Sequence, residues 1–431
     1  MRLRSRSISW LLAPVLASVL TAQPAQPRRQ AFTGLKLVDV TSGRIVDDGV
    51  LVVTDGRIEA AGPRSQVKVP AGAAAKALDG KYVVPGFIST HVHISDVQGL
   101  GPKAYTEANV RRQLGVFARY GVTSVWSLGG EQAPAVPLRD DRGNPSLTHA
   151  RLHIAGDIVV GTTPDEARQM VARVAAAKPD IVKIRVDDNL GTAAKMTPEV
   201  YRAVIDEAHR RDLRVAAHVF YLDDAKGVLR AGADVIVHSV RDREIDDEFI
   251  ALMKARDVPY CPTLTRDLST FVYESRPAFF DDPFFVREAD RAVVAQLLEP
   301  ARQEAMRTSK SAQAYKAALA VAERNLAKAS AAGLRVVLGT DAGPFPERFQ
   351  GYFEHLEMEM MVKAGMTPLQ VLRAATVDAA RGMRMAEVGA LTGGTWADFV
   401  VLDADPLRDI RHTRALHSVW IAGNQVARPG S

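Results

Sequence analysis

The stretch Pro85-Gly86-Phe87-Ile88-Ser89-Thr90-His91-Val92-His93 decides how the rest of the chain is read. It is an apolar run ending in two histidines one residue apart. In extended backbone, alternate side chains leave the same face, so both imidazoles point one way. Two imidazoles on one face suit Zn2+, Mn2+ or Fe2+. A His-x-His pair recurs by chance in many proteins, so its weight depends on the residues downstream.

Downstream of the pair the chain alternates regularly. Short apolar stretches read as strands at 83–94, 124–128, 152–160, 181–186, 215–220, 235–239, 259–264 and 336–340. Amphipathic helical patterns at 198–211, 223–231 and 312–331 stand between them. Eight strands with crossover helices predict an α/β chain whose core is a parallel (β/α)8 TIM barrel. An open doubly wound sheet is the rival, but it does not explain why polar residues recur where strands end.

Lys183 lies inside the apolar strand Asp180-Ile181-Val182-Lys183-Ile184-Arg185-Val186. A buried lysine is costly unless neutral, paired or modified, and the alternative is a snorkelling surface lysine. His218 ends Val215-Ala216-Ala217-His218, His238 ends Val235-Ile236-Val237-His238, and Asp341 ends the stretch from Val336. Each alone reads as a packing or rim residue. Five strand ends bearing His, Lys or Asp at one mouth read as a ligand set. The other histidines, His149, His153, His209, His355, His412 and His417, read as surface or packing residues, with His355 the nearest to the mouth.

The flanks differ from this middle. Residues 35–84 read as short strands with turn signals at Thr41-Ser42-Gly43 and Asp55-Gly56, and residues 398–427 as strands with a turn at Gly423-Asn424. The two regions are expected to meet as one small composite β-sandwich, 31–84 with 390–428, beside a barrel over 85–389. The stretch 266–309 is long for a connection and carries Phe271, Tyr273, Phe279, Phe280, Phe284 and Phe285. It reads either as a lid or pocket wall, or as a helical excursion packed on the barrel rim.

At the very start, Arg2, Arg4 and Arg6 precede an apolar run over 10–20, with Ala22 and Ala25 after it. This is the pattern of a secretory signal over 1–22, and the run is too short for a hydrocarbon core of ~30 Å. An exported protein, periplasmic or secreted, is the expectation. Loss of the leader would remove three arginines and take the net charge from +5 to +2. No basic stripe interleaved with aromatics argues for nucleic acid, and no later stretch argues for a membrane span. Cys261 is the single cysteine, which excludes an intrachain disulfide, and its apolar surroundings read as a buried strand.

With these residues assembled, the chain resembles the binuclear branch of the amidohydrolase superfamily, especially its prolidase-like and imidazolonepropionase-like members. The resemblance covers 35–427, from the Pro-Gly-Phe-Ile-Ser-Thr-His-Val-His entry to Gly393-Gly394-Thr395-Trp396-Ala397-Asp398-Phe399-Val400-Val401-Leu402. It implies two divalent ions, zinc first among them. His91, His93 and Asp341 would hold one, His218 and His238 the other, and a carboxylated Lys183 would bridge them. It further implies attack by a metal-bridging hydroxide, with Asp341 as general base and then general acid. Tyr221, three residues after His218, would polarise the substrate carbonyl.

One stretch departs from the dipeptidase pattern. Those relatives place a histidine after the third strand to read a free carboxylate, and residues 155–163 contain none. Arg185, Arg241 and Arg266 remain open as alternatives for that role, so Xaa-Pro specificity is not implied. The leading expectation is hydrolysis of an amide C–N bond in a small molecule: an N-acyl amino acid, a dipeptide or a related amide. A lactonase or esterase on the same ions, and a mononuclear imidazolonepropionase-type hydrolase with unmodified Lys183, are the other enzyme readings. A non-enzymatic binding protein would be expected to have lost ligands, and none is missing. Homo-oligomerisation stays open.

Overall fold

The computed structural model describes residues 28–427. The leader read at 1–22 lies outside the described residues. Among them, no helix is long and apolar enough to cross a membrane.

Seven parallel staves form most of the barrel: Phe87–Val92, Val122–Ser127, Arg151–Ile154, Val182–Val186, Val215–Val219, Val235–Val237 and Tyr260–Cys261. The first three pair in one ladder and the last four in another. A bridge from Val159 to Ile184 closes the seam between them. The stretch 152–160 therefore stops as a strand at Ile154. Beyond it, the Glu131 carboxylate accepts the N–H groups of Ala155 and Gly156, and Gly156 turns the chain at φ 74°.

The eighth stave, read at 336–340, forms no strand run. Val336 bridges Tyr260 on one side and Ala342 bridges Val92 on the other. Between those bridges, Thr90 N–H donates to Leu338 O (2.7 Å) and Thr340 N–H to His91 O (3.0 Å). This stave packs so closely that a Cβ on Gly339 would lie 2.4 Å from Cys261 Sγ and 2.9 Å from the His91 backbone nitrogen. Only glycine fits there.

The run read at 83–94 is two elements. Tyr82–Pro85 pairs antiparallel with Phe399–Leu402 in a terminal sheet, and the barrel begins at Phe87. Gly86 marks the transfer, because any side chain there would strike Thr123 at about 2 Å. The terminal sheet has eight strands drawn from both flanks, in the order Asn424–Gln425, Leu416–Ile421, Phe399–Leu402, Tyr82–Pro85, Arg29–Asp39, Arg44–Thr54, Arg57–Pro63, with Ala74–Ala77 also on Arg29–Asp39. Register shifts between Thr33 and Leu37 let it fold over its own core. There Phe32 meets Phe399 at 5.1 Å and Trp420 at 4.7 Å. Asp55-Gly56 turns with both φ positive, as a tight hairpin requires. The last hairpin turns at Ala422-Gly423, one residue before the expected Gly423-Asn424, because Asn424 already pairs with Ile421.

The stretch 266–309 is a helical excursion. Phe280, Phe284 and Phe285 pack with Tyr120, Tyr352 and Phe353 against the barrel's helices, and Tyr120 Oη donates to Phe284 O at 3.0 Å.

Barrel and terminal sheet are joined by a buried ion pair. Arg151 donates to both Asp398 oxygens (2.7 and 3.0 Å), and Asp398 also accepts Ala422 N–H at 2.8 Å. The guanidiniums of Arg57 and Arg151 both lie on the Trp396 indole, at 4.0 and 4.3 Å. Removing one partner of such a pair leaves an uncompensated buried charge. Asp398→Ala is therefore expected to cost about 3–5 kcal/mol, read as a lower urea midpoint at unchanged slope.

Candidate metal centre

His91 ends the first stave fully buried, and His93 follows it out of the strand on the same side. The His93 Nδ1–H donates to Gly129 O at 2.9 Å, which leaves its Nε2 lone pair facing Asp341 Oδ1 at 3.0 Å. His91 Nε2 lies 3.4 Å from the same oxygen. The ligand atoms of His91, His93 and Asp341 all fall within 4.8 Å of one another, a spacing that fits one cation. The other Asp341 oxygen accepts from the Arg348 guanidinium. Burial alone would raise the Asp341 pKa, but Arg348 and the imidazoles hold it well below the usual carboxylate range.

Lys183 points inward and is 2% exposed. Its Nζ sits 3.4 Å from His91 Nε2, which removes the snorkelling alternative. Burial pulls the amine down to about 8, against the pull of Asp341. A neutral fraction of about a tenth is thus available at pH 7.

His218 and His238 stand beside this group, with ring centroids 4.1 Å apart, and the His238 ring is 4.8 Å from that of His91. Each is pinned through one nitrogen. His218 Nε2–H donates to Asp187 Oδ2 at 2.8 Å, leaving Nδ1 as the free lone pair. His238 Nδ1 is engaged by the Thr263 hydroxyl at 2.7 Å, leaving Nε2. Burial lowers His218 to about 3 despite Asp187, and drives His91 and His238 well below the ordinary imidazole value. All three are neutral at pH 7, the state in which imidazole binds metal. The structure thus brings His91, His93, Lys183, His218, His238 and Asp341 into one cluster.

The backbone at these stave ends is strained. His238, Thr263 and Asp341 have φ of 70°, 50° and 59°. Non-glycine residues rarely adopt this left-handed region, and such outliers gather at functional sites.

The remaining candidates lie differently. The Tyr221 hydroxyl donates to Asp188 Oδ1 at 2.8 Å, and burial with that carboxylate pushes its pKa up to about 12. Its proton is committed to Asp188 and reaches a substrate carbonyl only if that bond is given up. Arg185 is 44% exposed and 3.6 Å from Asp187. Arg241 is sealed in the interior, donating to Val219 O and Ser239 O, and Arg266 is tied to Asp267 at 2.7 Å. Of the three candidate arginines for a carboxylate, Arg185 alone is exposed. His355 is packing: buried, bonded to Thr413 and Tyr120 O, and held near 3 by burial. Burial pushes the Cys261 thiol up to about 12, as befits a buried strand residue.

Sequence reasoning missed the groups that hold the candidate ligands: Asp187, Thr263 and Arg348. Asp187 directly follows a stave and was findable as a carboxylate at a strand end. Arg348 lies seven residues beyond Asp341 in a loop, and no periodicity signals it.

Residues 82–426 match the amidohydrolase family, to which the chain belongs. An uncharacterized protein of Mycobacterium tuberculosis is 28% identical over 254 residues, 56% of this chain and 63% of that one. The ochratoxinase of Aspergillus niger is 26% identical over 289 residues, 64% of this chain and 52% of that one. Each match spans under two thirds of the relative's length. The crystal structure of a putative prolidase from Bifidobacterium longum has a TM-score of 0.78 at 27% identity, covering 94% of this chain and 95% of that one.

Partners that fix a metal ligand's orientation typically contribute ~10–100-fold in affinity. Asp187→Ala and Thr263→Val are each expected to weaken zinc binding by that order in a chelator competition, with the circular dichroism spectrum unchanged. Unchanged affinity in Asp187→Ala would separate His218 from metal binding.

Proposed function

We propose that this protein hydrolyses an amide C–N bond in an N-acyl amino acid, a dipeptide or a related small amide, at two divalent ions. The observation that carries the proposal is the convergence of six ligand-type side chains from five staves, with His91, His218 and His238 kept neutral by burial and with His218 Nδ1 and His238 Nε2 left free of protein partners. Family membership supports the bond class, and the similarity to an ochratoxinase and to a putative prolidase supports a hydrolase.

In this reading His91, His93 and Asp341 hold one ion, and His218 Nδ1 and His238 Nε2 hold the second. Lys183, if carboxylated by CO2, would supply an anion suited to the charge of two cations. When bound there, divalent ions would lower the pKa of water to give a nucleophile at neutral pH and would polarise the carbonyl. Asp341 takes the proton from water and returns it to the leaving amine, which an amide needs in order to depart. The low basicity of Lys183 favours carboxylation, because only the neutral amine adds to CO2.

Three outcomes test this. His91→Ala and Asp341→Asn are expected to lower kcat/KM by roughly a thousandfold or more with the fold intact, and full activity in metal-free His91→Ala would end the proposal. Dialysis against a chelator is expected to abolish turnover, with zinc and bicarbonate together restoring it better than zinc alone. Metal analysis of the active protein is expected to return two ions per chain; one ion and an unmodified Lys183 would favour the mononuclear alternative.

A further inference from the structure

Lys195 is placed in a way that the hydrolase reading does not use. It stands on the exposed loop between the stave Val182–Val186 and the helix Pro198–His209. Its ammonium donates to Asp224 Oδ2 at 2.7 Å and lies over the Tyr221 ring, 4.8 Å from the centroid. The Tyr221 hydroxyl is itself fixed by Asp188, and the adjacent Asp187 fixes His218. A cation is thus seated on a carboxylate and on the face of an aromatic ring that follows a metal-ligand candidate, His218, in the chain.

We propose that the Tyr221 ring with the Asp224 and Asp188 carboxylates forms a seat for an alkylammonium group of the substrate, and that Lys195 fills it in the free protein. The inference rests on the hydrolase reading and adds the substrate's charge to it. An ammonium over an aromatic face is attracted by the ring quadrupole, and more strongly when a carboxylate completes the contact. The Asp224 side chain is 17% exposed, so it is shielded from the solvent that weakens ordinary surface pairs. Asp188 accepts the phenol proton, which holds the ring face in place rather than letting it turn. Lys195 itself is 35% exposed and tethered only through its loop. It competes as an intramolecular ligand and yields to a substrate cation that the metal centre also anchors.

The alternative is an ordinary ion pair closing a loop, and calorimetry on the full-length protein separates the two, with n-butylammonium as the probe. Lys195→Met keeps the stem and removes the charge, so it is expected to bind the probe about tenfold tighter than the parent protein. Adding Asp224→Asn is expected to abolish that gain. In turnover, Lys195→Met is expected to raise kcat/KM for N-acetyl-L-lysine about threefold or more relative to N-acetyl-L-norleucine. Equal probe binding in all three proteins, or an unchanged lysine-to-norleucine ratio, overturns the seat. A protein that binds the probe as expected but turns over no N-acyl amino acid, dipeptide or related small amide removes the hydrolase reading and leaves the seat standing.

Discussion

The barrel closes through the backbone of the very residues that line its metal-type cluster. His91 C=O accepts the N–H groups of both Thr340 and Asp341, at 3.0 and 2.9 Å, and His93 N–H donates to Ala342 O at 2.7 Å. These bonds replace a regular ladder between the first and last staves. Asp341 cannot move away from the two histidines without opening the barrel, so the geometry of one candidate ion site is secured by the same bonds as the fold. Barrel closure and the candidate chemistry meet at the C-terminal ends of the staves, where such folds carry their sites. Here they share atoms.

A layer of buried acids supports this seam. Glu354 accepts from Ser89, Thr340 and Gly351, and Glu357 from Leu264 and Thr265, so one helix clamps the first, seventh and eighth staves. Glu131 does the same between the second and third, fixing the Gly129 turn whose carbonyl orients His93. Burial pushes Glu354 and Glu357 up to about 7, a measure of how unfavourable these positions are for a carboxylate. Neutral hydroxyl and amide donors surround them in place of cations. The cationic partner, Arg348, is instead on Asp341, where it keeps a candidate ligand's carboxylate ionised.

Much of this architecture is legible in the sequence, and the illegible parts share a cause. His-x-His at a strand end, and His218, His238 and Asp341 closing apolar runs, are periodic features, so the barrel and these five residues stand out by their spacing. Lys183, inside its strand, leaves a surface lysine as an alternative and gains its bridging role through the family resemblance. The last stave imitates a regular strand because its residues are apolar. Its hydrogen bonds alternate between two neighbours, which no one-dimensional pattern records. The run at 83–94 hides a change of sheet at Gly86, since both halves are equally apolar. Asp187, Thr263 and Arg348 act through side chains that meet histidines or aspartate across the fold. Their identities are common, and only three-dimensional proximity distinguishes them. Tyr221 stands out only through the family resemblance, by its offset from His218, and its bond to Asp188 depends on a loop conformation that sequence does not encode locally.

The strand Tyr82–Pro85 lies between Arg29–Asp39 and Phe399–Leu402 in the terminal sheet. During synthesis its first neighbour is available at once, whereas the second leaves the ribosome more than three hundred residues later. Until then one edge of that strand shows bare amides and carbonyls, next to Val83 and Val84, which end up wholly buried. The nascent chain therefore carries a sticky flank throughout the making of the barrel. Until the two ends of the polypeptide have met, that edge is open to pairing with any other strand.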